Sequence, residues 1–389
     1  MDKVRIGVIG LGNMGSAHAR NLFEGKVGGA TLSAVCDIDP ARLEWAKSEL
    51  GGISLYDDYK KLIESNECDA VVVATPHYFH APIAIDALNA GLNVMSEKPE
   101  SVSVTDAERM NRAAKESGKV FGIMFNQRTN PLFIRAREEV KSGKLGKLIR
   151  ATWIITNWYR TQYYYNTGGW RASWKGEGGG VLLNQAPHNL DILQWIIGMP
   201  DSLIAVCDEG SFHDIEVEDN ASILMKYKNG ARAQFVTTTG EFPGTNRLEI
   251  VGTLGKIVIE EGRMKIYRCS EDTEVFTKRA GASDSLRVAG IEEVIPENGG
   301  RAHVGVLEAF AMKILGKGEL IARGEEGINQ LTLTNAAYLS SWIGKEVTLP
   351  LDGELYDKLL CEKKEGSSLK ESKGSLADGK MSDRWSVKW

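Results

Sequence analysis

Along residues 1–125 the apolar positions keep two alternating rhythms. Short β-branched runs at 4–9, 32–36, 70–74, 92–95 and 120–124 are separated by segments of helical period at 14–23, 41–50, 81–90 and 105–116. Alternation of this kind needs crossover connections, so the strands are expected to run parallel. The runs at 4–9 and 71–74 are continuously apolar, as strands covered on both faces must be. This half is predicted to be a doubly wound parallel sheet.

From residue 126 the rhythm changes. A helix is expected over 131–142, a strand over 149–156, a glycine- and aromatic-rich loop over 159–180 and a helix over 181–197. Strand-like runs then follow one another at 222–227, 231–238, 247–251, 256–260 and 264–268, with turns as short as Lys228-Asn229-Gly230. Consecutive strands with short turns imply a large, mostly antiparallel open sheet. Helices over 304–315 and 325–343 close the domain, and no pattern places 269–300. The prediction is an α/β chain with domains at 1–125 and 126–350, the second of α+β type, and a tail at 351–389. The tail after Tyr356 is rich in Lys, Ser and Gly and is expected to be loosely ordered. It ends with Trp385 and Trp389, which are suited to docking on this subunit or a neighbour.

Composition narrows the picture. The chain has 389 residues, too many for one ordinary core, and a net charge of −5 with scattered basic residues. That balance points to no nucleic-acid or membrane partner. No apolar run approaches the ~20 residues that span a bilayer, and no leader precedes Val4, so a secretory signal is not expected. Cys36, Cys68, Cys207, Cys269 and Cys361 lie far apart, with neither metal nor disulfide spacing, which fits a reducing cytoplasmic setting. His77 and His80 have HxxH spacing, but no carboxylate or cysteine cluster completes a metal site, so none is expected.

Gly10-Leu11-Gly12-Asn13-Met14-Gly15 follows the first strand and opens the first helix. Gly10 permits the tight turn, Gly12 leaves room for a pyrophosphate, and Gly15 lets helix and strand pack closely. The helix N-terminus then offers its unpaired N–H groups to phosphates. Asp37 lies 22 positions after Gly15, at the end of the second strand, where a carboxylate would hold the adenine ribose. These residues imply a dinucleotide. Asp37 favours NAD because it would repel a 2′-phosphate, while Arg42 leaves NADP open as the lesser option.

Ser96-Glu97-Lys98-Pro99 ends the fifth strand, and ligands of open α/β sheets sit beyond such ends, so Lys98 is a candidate to stabilise an alkoxide or relay a proton. In Gly178-Gly179-Gly180 through Asp191, Asn184 and His188 are spaced i and i+4, which on a continuous helix puts them on one face. His188 suits a hydroxyl-proton acceptor near neutral pH. Pro187 is a misfit within that helix. Tyr159, Arg160, Tyr163, Trp170, Arg171 and Trp174 crowd into the loop, with aromatic faces and guanidinium forks suited to a polyhydroxylated ring and phosphates.

Together the glycine fingerprint, Ala74-Thr75-Pro76-His77-Tyr78-Phe79-His80, Glu97-Lys98-Pro99, Trp170-Arg171 and the triple glycine leading to His188 resemble the Gfo/Idh/MocA oxidoreductases over residues 3–350. The resemblance implies a Rossmann domain and a second α/β domain whose open sheet forms the subunit interface of a homodimer or homotetramer. By position it makes Lys98 and His188 the catalytic pair. Thr75, Pro76, His77, His80, Glu97, Asn126, Trp170 and Arg171 become cofactor-side residues. The segment 158–200 is most similar to the branch of levoglucosan dehydrogenase and glycoside 3-dehydrogenases. That branch implies oxidation of a ring hydroxyl of a carbohydrate or polyol, with C3 of a glucoside as one candidate. Family members often carry Asp four residues before the histidine, where this chain has Asn184, and Asp191 is a candidate replacement. Two other functions stay open: redox-neutral cleavage or isomerisation of glycosides with tightly held NAD, and a non-catalytic NAD-binding sensor.

Overall fold

The computed structural model describes residues 2–369, so Trp385 and Trp389 lie outside the described residues. The first sheet contains β1 (Val4–Ile9), β2 (Ala30–Cys36), β3 (Ser54–Tyr56), β4 (Ala70–Val73), β5 (Asn93–Ser96) and β6 (Phe121–Ile123). Its order is β3-β2-β1-β4-β5-β6 and all five pairings are parallel. It is a Rossmann sheet. Between its strands run α1 (Asn13–Phe23), α2 (Pro40–Glu49), α3 (Tyr59–Glu64), α4 (His80–Asn89) and α5 (Val104–Ser117). Local sequence sets their ends. Asp39 caps α2 by accepting Ala41 N–H, with Pro40 opening the first turn, and α5 stops at Gly118 with φ 64°.

The second sheet has nine strands: β7 (Leu148–Ile155), β8 (Ser202–Glu209), β9 (Glu218–Lys226), β10 (Arg232–Thr238), β11 (Asn246–Gly252), β12 (Gly255–Glu260), β13 (Arg263–Cys269), β14 (Val288–Val294) and β15 (Val347–Thr348). Their order is β14-β13-β12-β11-β7-β10-β9-β8-β15. Only β7 and β10 pair in parallel. One face packs on α6 (Pro131–Lys141), α8 (Pro187–Ile197) and α11 (Gly327–Ile343), with Trp153, Phe235 and Tyr338 fully buried between. Shorter helices are α7 (Gln162–Asn166) and α9 (Thr273–Arg279).

Five expectations need correction. Pro187 is the opening residue of α8 and not a mid-helix misfit, because a residue without N–H fits the first turn. Residues 181–186 are turns, so Asn184 and His188 do not share a helix face. The span 269–300 holds α9 and β14, and β14 is exposed on nearly every side chain, which erases the alternation that would mark it. Part of the supposed loose tail forms α12 (Gly353–Glu365), with Tyr356 and Leu360 in the core. Finally, the division at 125 is incomplete. Helix α10 (Ala302–Ile314) returns to the first domain, contacting α1 and β5 and burying Val306, Leu307, Phe310 and Ala311 in one cluster with residues of β1 and α1.

Candidate active site

The nucleotide half sits on β1 and α1. Gly10 adopts φ 91°, and a Cβ there would stand 2.7 Å from the Ala74 carbonyl. At Gly15 a Cβ would stand 1.7 Å from the Gly10 carbonyl, so only glycine closes this turn. A Cβ on Gly12 would meet nothing within 4 Å, and α1 has no side-chain cap, so its N-terminal N–H groups, with Asn13 and Met14 in the first turn, face open space. Asp37 Oδ2 accepts Leu11 N–H at 2.6 Å and Oδ1 accepts Asp39 N–H at 2.9 Å. Those bonds fix the carboxylate at the strand end while leaving lone pairs for a ribose. Beyond β4 and β6, Thr75 Oγ1 and Asn126 Oδ1 are buried without a protein partner, in the places a nucleotide's hydroxyls and amide would satisfy. These residues fit NAD.

The reacting half is built where the two domains meet. His77 Nδ1 lies 3.0 Å from the Glu177 carbonyl and its ring meets Trp170 edge-on at 5.2 Å. Tyr78 donates its hydroxyl to the Trp174 carbonyl at 2.7 Å. His80 braces the loop, with Nδ1 2.8 Å from the Pro99 carbonyl and Nε2 2.7 Å from that of Thr75, beside Pro76. It is a brace and not an exposed cofactor contact. The Lys98–Pro99 bond is cis. Lys98 Nζ then reaches the second domain, donating to the Asn184 carbonyl at 2.8 Å. Burial pulls the Lys98 ammonium below its ordinary pKa, opposed by Glu97. Burial and the Lys98 charge hold His188 well below the ordinary imidazole value, so its ring is neutral at physiological pH.

The loop leading to His188 is locked from below. Glu218 accepts Gly180 N–H and Leu182 N–H, each at 2.8 Å, and the Tyr338 hydroxyl at 2.7 Å. A Cβ on Gly179 would strike that hydroxyl at 2.3 Å, and one on Gly180 the Glu218 carbonyl at 1.9 Å. The triple glycine therefore serves close packing under the site.

The aromatic loop divides. Tyr159 and Tyr163 are exposed, and Tyr159 pairs with Phe242 at 5.8 Å. Arg171 is partly exposed, over the Trp170 ring at 4.5 Å and donating to Tyr164 at 2.9 Å. Arg160 is buried and donates to the Trp158 and Tyr159 carbonyls, which makes it a strut of the loop. Trp174 turns into the core and meets Tyr338 and Trp342 edge-on, each at 5.4 Å, beside the stacked Tyr338 and Trp342 rings. Asp191 is bound by Arg128 at 2.9 and 2.7 Å and by Gln194, so it does not stand in for an acid at 184.

Three residues escaped the sequence reading. His18, three places after Gly15, puts Nε2 2.7 Å from Glu97 Oε1. Burial works to raise the Glu97 carboxyl, but His18, His303 and Lys98 outweigh it and bring it to about 2. His303, on α10, packs edge-on against His18 at 5.7 Å and is pulled down to about 4 by burial and that neighbour. Glu177 is buried, accepting Ala172 N–H at 2.7 Å and the side-chain amide of Asn184. Its only sequence signal was an acid set just before the triple glycine. Among the described residues no group of His, Cys, Asp and Glu could hold a metal, and no helix is long and apolar enough to cross a membrane.

Fold and fingerprint define an NAD-binding oxidoreductase. Residues 4–125 match the NAD-binding Rossmann domain of the GFO/IDH/MocA oxidoreductase family, and residues 133–258 match that family's C-terminal domain. The chain belongs to this family, which includes dehydrogenases of sugars and cyclitols. It is 30% identical over 288 residues to myo-inositol 2-dehydrogenase of Thermotoga maritima, covering 72% of this chain and 79% of that one. It is 26% identical over 363 residues to D-glucoside 3-dehydrogenase of Escherichia coli, covering 89% and 97%. Among solved structures it is similar to the WlbA dehydrogenase of Bordetella pertussis in complex with NADH and UDP-GlcNAcA. That match has 26% identity and TM-score 0.76, over 90% of this chain and 100% of that one.

Proposed function

We propose that this enzyme oxidises a ring hydroxyl of a sugar, glycoside or cyclitol to a ketone, with Lys98 and His188 handling the proton. The observation that carries this reading is the 2.8 Å bond from Lys98 Nζ to the Asn184 carbonyl, which brings the lysine of one domain onto the loop that enters His188. Bound NAD supplies the hydride acceptor. The neutral His188 imidazole takes the hydroxyl proton. The Lys98 ammonium stabilises the oxygen as negative charge develops on it, an effect strongest in a site of low dielectric. Asn184 orients the hydroxyl, and the exposed Tyr159, Tyr163 and Phe242 offer apolar faces to a sugar ring. The similarity to a D-glucoside 3-dehydrogenase over most of both chains makes C3 of a glucoside the first position to test.

The test is reduced-nicotinamide absorbance across free sugars, O-glycosides, C-glycosides and inositols, with NAD added. Reduction with at least one of them is expected. NAD binding without reduction by any would refute the dehydrogenase reading in favour of a sensor, and turnover with no added NAD would refute it in favour of redox-neutral chemistry. The open face of the second sheet exposes Ile204, Val206 and Leu224, which supports self-association as a homodimer or homotetramer, checked by sedimentation.

A further inference from the structure

The loop that carries Asn184 holds a second acid that the expectations from sequence did not include. Glu177 is 2% exposed. Its Oε2 accepts Ala172 N–H at 2.7 Å, and its Oε1 accepts Nδ2 of Asn184. An ionised carboxylate only accepts, so Asn184 must show it Nδ2 and turn Oδ1 the other way. The backbone carbonyl of the same asparagine holds Lys98 Nζ at 2.8 Å. Carboxylate, amide and ammonium are thus strung on one residue, four positions before His188. The rival acid, Asp191, is occupied by Arg128.

We infer that Glu177 is the positioning carboxylate of the reacting site, acting through the Asn184 amide to fix Oδ1 as the acceptor for a substrate hydroxyl next to the reacting one, whose own proton goes to His188, and supplying the negative charge that position 184 lacks. The inference rests on the dehydrogenase reading and deepens it. The charges around Lys98 support it. Burial, Arg171 and Arg160 oppose the ammonium, while Glu97 and Glu177 favour it. Burial raises the Glu177 carboxyl, and Arg171, Ala172 N–H, the Asn184 amide and Lys98 work against that rise. Glu177 also props Ala172, which sits at φ 64°. A merely structural role would end at that prop.

An exchange of the two side chains separates the roles. In E177Q the new amide can still accept Ala172 N–H, but it sets its NH2 against that of Asn184 and turns Oδ1 away from the substrate. The expected loss is about 10²-fold in kcat, with NAD affinity within about twofold. N184D brings two carboxylates together and loses a similar amount. The double variant E177Q/N184D restores one acid facing one amide, and its kcat is expected to exceed either single variant by about tenfold or more. Wild-type kcat in E177Q, or a double variant no faster than the singles, overturns the inference. Should E177Q fail to fold, N184L removes the link while leaving the Ala172 bond, and unchanged kcat there overturns it equally. One readout needs no substrate. The titration midpoint of Lys98, followed by NMR of ¹³C-methylated lysines in NAD-loaded enzyme, is expected to fall by about one unit in E177Q. An unmoved midpoint sinks the inference whether or not any sugar is oxidised, whereas a moved midpoint with no sugar oxidised refutes the dehydrogenase reading, and with it the substrate role of Oδ1, while the coupling of Glu177 to Lys98 stands.

Discussion

Replacing Asp191 by asparagine tests whether the conspicuous acid after His188 belongs to the chemistry or to the scaffold. The Asp191 and Arg128 side chains are each 1% exposed and share bonds of 2.9 and 2.7 Å. Asparagine keeps the shape and one acceptor, but turns an NH2 toward guanidinium N–H groups and removes the charge. Removing one partner of a buried pair costs about 3–5 kcal/mol, because the other charge is left uncompensated. Here Glu326 still bonds the guanidinium, and the Phe125 and Trp195 rings lie 5.3 and 5.4 Å from it. The cost therefore belongs at the lower end, about 3 kcal/mol. At roughly 2–4 °C per kcal/mol for a domain of this size, Tm falls by about 6–12 °C. Calorimetry and urea unfolding measure this, alongside kcat at a temperature where both proteins are folded. The expected result is a destabilised enzyme with kcat within about threefold of wild type. An unshifted Tm with kcat down by two orders of magnitude would refute the argument and return Asp191 to the reaction.

Four further outcomes follow from the geometry. Because His188 is held well below the ordinary imidazole value, kcat/KM should show no loss from His188 protonation between about pH 8 and 6.5, with its acid limb lying lower; a limb centred at 6.5 would contradict its environment. Asp37→Ala should narrow the preference for NAD over NADP by at least about tenfold, measured as the ratio of their kcat/KM values, since the ribose carboxylate and its charge are both gone. Glu100 is fully buried, and burial and the charge of Glu325 raise its carboxyl well above the usual range. The folded state then keeps a proton that the unfolded chain loses, so stability drops as pH climbs above the unfolded value. Glu100→Gln should accordingly raise Tm at about pH 8 and leave it unchanged at about pH 4, by differential scanning fluorimetry. Phe310→Ala should cost about 3–5 kcal/mol in urea unfolding, a loss that would be absent if α10 were peripheral.

Residues 1–125 were legible because parallel strands covered on both faces read as unbroken apolar runs, and the glycine turn leaves its own spacing. The second sheet was legible wherever one face is buried, as in β10, and illegible in β14, where burial imposes no period. Within the site, Lys98 and His188 stood out through their neighbours in sequence. Glu177 and His18 did not, because their importance lies in partners 7 and 79 positions away. Trp174 shows the converse, since nothing in a loop's composition says whether an indole turns outward or packs edge-on against rings beneath.

The return of α10 to the first sheet bears on how the polypeptide is made. A ribosome releases the whole βαβ half early, yet Phe310 and its neighbours arrive only after nearly all of the other half has emerged. Until then the apolar flank of β1 and α1 waits for its cover, exposed to chaperones and proteases. A gene fragment ending at codon 125 would lack that cover permanently, so a half exchanged between relatives must meet an α10 that fits it.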